Sequence, residues 1–408
     1  MEKVTRRTAA PEAILKASRR ELLCSGAAAA AGLASAGLRS LFALQTGEEL
    51  VPFIDYTRGF RAEAQASNPR MKCFDLRQLT SWTTPSEEFF VFHQTETIRA
   101  DAARWRLQIG GFVERPVEFT LTDLLRRPDR RDVAMTLECS GNSGTPGIMN
   151  GLVGNAIWTG VNVASLLKEC GLKSETREVV FFGVDSEKEK KWEAGDAEYS
   201  SPHGRSISVQ DALAPEVMLA FAMNGQPLPA EQGFPLRLIM PGWYGMAQIK
   251  WLTRIEVLDR RYEGRHMARN YHSLRAVETP EGTLWMDTSI SRNNLKSVIA
   301  RVTRQRSSER FEYRAAGAAW GGPARIETVE VQLDRGLWRS ARIDHRGGDF
   351  AWLLWSYDWK YATAGRHTIV SRAINARGEV QPTRDELRKR LASNREDNAQ
   401  WPRQIAIT

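Results

Sequence analysis

The rhythm of apolar and polar positions changes several times along this chain. Residues 46–100 are polar and loop-rich. Trp105 to Val113 then alternates with period two and turns at Gly110-Gly111, which predicts a strand. Phe119 to Leu125 predicts a short helix opened by Thr120 or Thr122. Asp132 to Leu137 predicts a strand that runs into Glu138-Cys139-Ser140-Gly141-Asn142. Val161 to Cys170 has helical spacing, with Gly171 placed as its C-terminal cap. Strands are predicted at Val179–Val184, at Leu236–Met240 before Pro241-Gly242, and at Ile249–Leu258. Strands and short helices alternate without a regular βαβ rhythm, so the class is α+β.

The texture shifts near Lys296. Short alternating stretches follow at Val298–Val302, Thr328–Leu333, Ala351–Trp359 and His367–Asn375. Turn residues such as Asp334-Arg335-Gly336 and Asn375-Ala376-Arg377-Gly378 separate them. This spacing predicts a small Ig-like β-sandwich. Arg384–Asn394 is charged and reads as an exposed loop or helix.

The first 45 residues read as an address. Ser18-Arg19-Arg20-Glu21-Leu22-Leu23 precedes a small-residue apolar run from Gly26 to Leu44, as in a twin-arginine export signal. A membrane span is disfavoured, because the run is rich in Ala and Gly and Arg39 interrupts it. Cys24 sits before the apolar run, which argues against a lipoprotein. The expected organisation is a signal over 1–45, one domain over 46–280 and the sandwich over 281–408, in a soluble periplasmic protein.

Composition adds limits. The chain has 408 residues, enough for two domains, and 13 tryptophans, many in its C-terminal third. A net charge of +8 fits a basic surface or attraction for anions. No basic run is interleaved with aromatics in a known module, so nucleic acid is not an expected partner. The cysteines are Cys24, Cys73, Cys139 and Cys170, and none forms a CxxC pair. A zinc site and a covalent c-type haem are therefore not expected. With Cys24 in the leader, three thiols remain, so at least one is unpaired. Cys139 lies in a small-residue turn after a strand, where its sulfur could stand at a cleft and ligate a soft or high-valent metal. Taken alone, a buried apolar role is the commoner fate of such a cysteine.

The wider pattern changes that balance. Glu138-Cys139-Ser140-Gly141-Asn142 resembles the molybdenum-ligand segment of the sulfite oxidase family. Met223 to Pro229, Gly233 to Arg237, Pro241 to Gly245 and Ile249 to Leu252 resemble its pterin-binding stretches, in the same order. Ala319-Trp320-Gly321-Gly322, Val329 to Val331, Leu333-Asp334 and Trp352 to Trp355 resemble its dimerisation domain. The resemblance implies a mixed α/β molybdopterin-binding domain followed by an Ig-like dimerisation domain. It implies one molybdenum–molybdopterin per chain, with Cys139 as the metal's protein ligand. Arg237, Lys250 and the adjacent Ile249 would meet the pterin or its phosphate, and Asp185 would hydrogen-bond it. Tyr271 would stand near the metal, and Trp158 would line the substrate pocket.

Departures from the family pattern bear on the substrate. Phe92 stands in the place of an arginine, and Gln94 in that of a histidine. His93 could partly compensate, although strand alternation would point it to the opposite face. Ser143-Gly144 occupy the place of a second arginine, and Gln232 and Gln248 replace pterin-contacting histidines. Glutamine can still hydrogen-bond a pterin. Two missing guanidinium groups, at about 1.5–3 kcal/mol per charge-assisted bond, weaken the case for a dianion. Arg395 and Arg403 are candidate replacements. The expected activity is oxygen-atom transfer at molybdenum, with sulfite oxidation first. Reduction of a sulfoxide or another S- or N-oxide is the alternative, and an inactive binding protein the second. Without a haem or flavin fingerprint, electrons would pass to a separate protein such as a c-type cytochrome. A homodimer is implied.

Overall fold

Three bodies of β-structure make up the protein, described by a computed structural model for residue 44, residues 46–55, residue 66 and residues 68–191, 197–307 and 310–408. The expected leader, with Arg19, Arg20 and Cys24, lies outside the described residues. Among the described residues, no helix is long and apolar enough to cross a membrane.

The first sheet runs in the order Gln226–Pro227, Met218–Met223, Val153–Asn162, Arg130–Glu138, with Arg237–Ile239 also paired to Met218–Met223. Met218–Met223 reads MLAFAM and is buried at every position, because both faces of the sheet are covered. The second sheet runs Val117–Thr120, Arg106–Gly111, Leu252–Leu258, Glu178–Lys191, Ala197–Ser208. Arg106–Gly111 and Leu252–Leu258 are parallel, and the other pairs are antiparallel, which suits a mixed α+β class. Helix Leu121–Leu125 opens on a capping box between Thr120 and Asp123. Helix Val163–Cys170 ends on Gly171, whose φ of 74° is accessible to glycine at little cost. Leu107, Phe181, Leu166, Leu238 and Ile255 join these elements in one core.

The third body is the sandwich. One sheet runs Glu48–Val51, Lys296–Ser307, Arg310–Trp320, Leu353–Trp359, Arg342–Arg346. The other runs Arg339–Ser340, Ile326–Leu333, Gly365–Asn375, Arg403–Ile407. Val302, Tyr313 and Trp355 from the first face Val329, Ile369 and Ile405 from the second. Glu48–Val51 thus belongs to the sandwich in space, although it precedes both of the first two sheets in sequence.

The sandwich and the first sheet meet along Phe74–Trp82. Trp82 and Trp352 donate their indole N–H to each other's backbone carbonyl at 3.1 and 2.7 Å. Phe74, Leu76 and Leu79 pack there with Val298, Ala318 and Leu354. A hairpin, His272–Thr279 and Gly282–Ser289, pairs with Leu391–Ala392. It leaves Leu284, Trp285 and Met286 exposed.

Candidate active site

Where the ends of several strands converge, the fold leaves a cleft that is open to solvent at its mouth. Arg130–Glu138 delivers Cys139 to its wall, and the loop after Val91–Phe92 delivers His93 and Gln94. Asp185, His203, Gln232, Arg237, Gln248, Lys250 and Tyr271 line the rest, with Phe90, Phe92 and Met246 as apolar wall.

Cys139 is half-buried, whereas Cys73 and Cys170 are buried, and all three are free thiols. Desolvation pushes the Cys139 thiol up to about 11, against a hydrogen bond from the Gly141 backbone and the charges of Arg395 and Lys250. Among the described residues, no three His, Cys, Asp or Glu converge on a point. A single thiol in such a cleft fits a metal whose remaining donors arrive with a cofactor. The cationic floor suits a cofactor phosphate. Arg237 is 3% exposed and donates to Gln232 O, Gln232 Oε1 and Gln248 O, while its Nε has no protein acceptor. Burial holds this guanidinium down at about 9. Lys250 Nζ donates to His93 Nδ1 at 2.5 Å, Phe92 O at 3.0 Å and Glu231 O at 3.2 Å. Burial, then Arg237, holds Lys250 well below its ordinary value. Desolvation raises Asp185 to about 6.

Tyr271 carries the clearest polar geometry at the mouth. Gln94 Nε2 donates to its hydroxyl oxygen at 2.6 Å. Burial raises the phenol to about 12, so at neutral pH it keeps its proton and can donate it. Arg395 lies 4.8 Å over its ring and donates to Asn270 O. This arginine comes from the segment after Leu391–Ala392 and packs on a residue of the cleft lining, and its charge is felt at Cys139. Behind the tyrosine, His266 and His203 stack at 4.3 Å, and His203 Nδ1 stands 3.9 Å from Asp185.

Several expectations need correction. Trp158 does not line the cleft. It is 0% exposed, edge-on to Phe89 at 5.9 Å and beneath Arg237 at 4.8 Å, so it supports that guanidinium from the core. Ile249 likewise faces the core at 1% exposure. His93 does not point away from Phe92. The strand ends at Phe92, alternation lapses, and His93 lines the same cleft on Trp251. Its Nδ1 is occupied by Lys250, and burial lowers it to about 3, so it adds no cation. Gln248 has no free N–H, since Met240 O and Trp243 O take both. Gln232 binds Phe90 O and Arg237. Both glutamines brace the wall. Arg403 is committed to Asp55 at 3.1 Å and to the face of Phe53, far from this role. At Gly144 a Cβ would stand 1.9 Å from the Trp401 indole, which fills the space a longer side chain would need. Sequence reasoning missed His203 and the structural roles of Glu138 and Lys296. The isolated charges in apolar stretches, Glu138 and Lys296, were the available signal.

Comparison with known proteins agrees with this geometry. Residues 93–266 match the oxidoreductase molybdopterin binding domain, and residues 287–399 match the Mo-co oxidoreductase dimerisation domain. The chain belongs to the sulfite oxidase family of molybdopterin oxidoreductases. Mitochondrial sulfite oxidase of Rattus norvegicus is 28% identical over 327 residues, covering 74% of this chain and 58% of that protein. An NADH nitrate reductase of Phaseolus vulgaris is 29% identical over 332 residues, covering 73% of this chain and 37% of that protein. The chain therefore spans well under two thirds of these relatives. The sulfane dehydrogenase SoxCD from Paracoccus pantotrophus superposes with a TM-score of 0.70 at 27% identity, over 88% of this chain and 91% of that one.

Proposed function

We propose that the protein is a molybdenum-cofactor oxidoreductase that oxidises a small sulfur oxyanion, sulfite first, and passes electrons to a separate carrier protein. The observation that carries this reading is the Cys139 thiol and the protonated Tyr271 hydroxyl lining one cleft, with the Arg395 guanidinium stacked on the Tyr271 ring. When bound, the cofactor supplies the two-electron redox chemistry and the centre for oxygen transfer. Arg237 and Lys250 hold its anionic end, with Asp185 as a hydrogen-bonding partner. Cys139 fixes the metal to the chain. Arg395 attracts the anion and Tyr271 donates a hydrogen bond to one of its oxygens. Gln94 donates to the same phenol oxygen, which leaves the phenol proton free to turn toward the substrate.

One observation favours a second reading. Phe90, Phe92 and Met246 make part of the wall apolar, and the two arginines of the family pattern are replaced by Phe92 and by Ser143-Gly144. A substrate with less charge, such as a sulfoxide or another S- or N-oxide, suits that wall, with the enzyme running as a reductase. Assays with sulfite and a cytochrome c or dye acceptor, against sulfoxides with a reduced viologen, separate the two. Absence of sulfite turnover at any concentration removes the first reading. Molybdenum-free protein from a molybdate-replete host would favour an inactive binding protein over both. The c-type cytochrome partner, the homodimer and twin-arginine export to the periplasm belong to the same proposal. Light scattering and cell fractionation test the last two.

A further inference from the structure

The turn that carries Cys139 is held from behind by the sandwich. Glu138 is 1% exposed, and its carboxylate accepts from Asn142 Nδ2 at 2.9 Å, Lys296 Nζ at 3.1 Å and Trp320 Nε1 at 2.8 Å. Lys296 is 2% exposed and donates its other protons to Asn142 O at 3.2 Å and Asp397 O at 2.7 Å. Lys296 and Trp320 face each other on paired sandwich strands, so one register position supplies both donors. Within the turn, Asn142 N donates to Cys139 O and Cys139 N to Leu152 O, both at 2.9 Å. Asn142 Oδ1 accepts from Leu152 N at 3.0 Å. Glu396 N donates to Ser140 O at 2.6 Å.

A buried ion pair contributes little net stability, because desolvation offsets the attraction and an apolar replacement is often neutral. What this one supplies is fixed geometry. Lys296 has all three donors engaged, and two of the three acceptors flank the cysteine. A redox-active ligand sphere needs such support, since outer partners hold first ligands in place.

We propose that Lys296 is a positioning residue for the metal-ligating thiol, acting through Glu138 and Asn142, so that the sandwich sets where the Cys139 sulfur stands in the cleft. The metal arm of the test rests on the molybdenum reading above.

Lys296→Met and the double variant Glu138→Gln/Lys296→Met separate positioning from bulk stability. Three quantities are measured on the full chain: melting temperature, the iodoacetamide alkylation rate of Cys139 in cofactor-free protein, and the visible thiolate-to-metal charge-transfer band of loaded protein. Buried Cys73 and Cys170 serve as internal controls for unfolding. The single variant should melt lower and alkylate at Cys139 about tenfold faster, the size of one lost charge-assisted bond. In the double variant no buried charge is left unpaired, so melting should return toward wild type. Alkylation should stay fast and the band should stay displaced, because the contacts to Asn142 and Asp397 are still missing. The proposal is overturned if alkylation and the band recover together with melting, or if neither changes in Lys296→Met. Should that single variant fail to fold, the double variant decides by the same readouts. A wild type without molybdenum would defeat the functional reading, and the alkylation arm would still judge Lys296.

Discussion

At the scale of single residues, the cleft assigns distinct tasks to side chains that stand close together. Cys139→Ser should yield folded protein with little molybdenum by metal analysis, because a hydroxyl is a poor substitute for a soft thiolate. Tyr271→Phe keeps the ring under Arg395 and removes only the donor. It should lower kcat about a hundredfold in steady-state assays, with a smaller change in KM. Arg395→Met should act mainly on capture, lowering kcat/KM for an anionic substrate about tenfold to a hundredfold. An unchanged kcat/KM would remove Arg395 from the substrate site. Gly144→Ala forces a methyl toward the Trp401 indole and should cost about 1–3 kcal/mol in denaturant titration. Cys139 as the candidate ligand could be named from the sequence, because the resemblance lies in contiguous residues, and the structure places it in the cleft lining. The fate of Trp158 and Gln248 was not, since it depends on which neighbours saturate or cover them in space.

At the scale of elements, local signals carried far where periodicity was clean. Thr120 and Gly171 cap the helices expected there. The strands near residues 106, 130, 328 and 367 appear where alternation placed them. The charged stretch expected as a loop or helix is helix Arg384–Arg390, opened by a capping box from Thr383 to Glu386. Val153–Asn162 escaped notice because burial on both faces erases the alternating pattern. His93 was misplaced because a two-residue strand is too short for its alternation to orient the next side chain. One turn-to-strand contact has a pH signature. His367 donates to Asp334 Oδ2 at 2.6 Å and to Thr363 O at 2.8 Å, so it is held as an imidazolium. Burial alone would lower it, but these bonds outweigh burial and raise it. Its contribution is present below its unfolded value of about 6.5 and is lost as pH rises through the raised folded value. Burial would raise Asp334, but His367 and the Thr368 N–H outweigh it and lower it. That contribution is present above about 3.9 and is lost as pH falls through the lowered value. The stability gap between wild type and His367→Gln, from urea titrations, should therefore peak between about pH 4 and 6.5 and shrink above it.

At the scale of the whole molecule, the site belongs to both halves of the chain. The cleft is lined from residues 90–271, yet Lys296, Trp320 and residues 395–397 fix its ligand turn and its mouth. The sandwich was legible as a separate unit from its turn spacing. Its hold on Cys139 was not, because pairing between Glu138 and Lys296 leaves no local pattern. Cofactor that binds only the folded state should raise the melting temperature with the logarithm of its free concentration above Kd. Removing it should increase hydrogen exchange around residues 139–152 and 232–251, and unchanged exchange there would argue against this cleft as the pterin site.

The segment from Leu391 to Arg403 gives the last consequence. It pairs with the hairpin at Leu391–Ala392, places Arg395 over Tyr271, bonds the Cys139 turn through Glu396 N to Ser140 O, and accepts from Lys296 at Asp397 O. A chain made from its N-terminus exposes Cys139 long before this segment emerges from the ribosome. During synthesis the thiol therefore stands in an unfinished cleft with a loose turn and no guanidinium at its mouth. On the proposed reading, firm seating of a metal awaits that last stretch, which makes loading a post-translational event. A nascent chain stalled short of residue 391 should take up no cofactor.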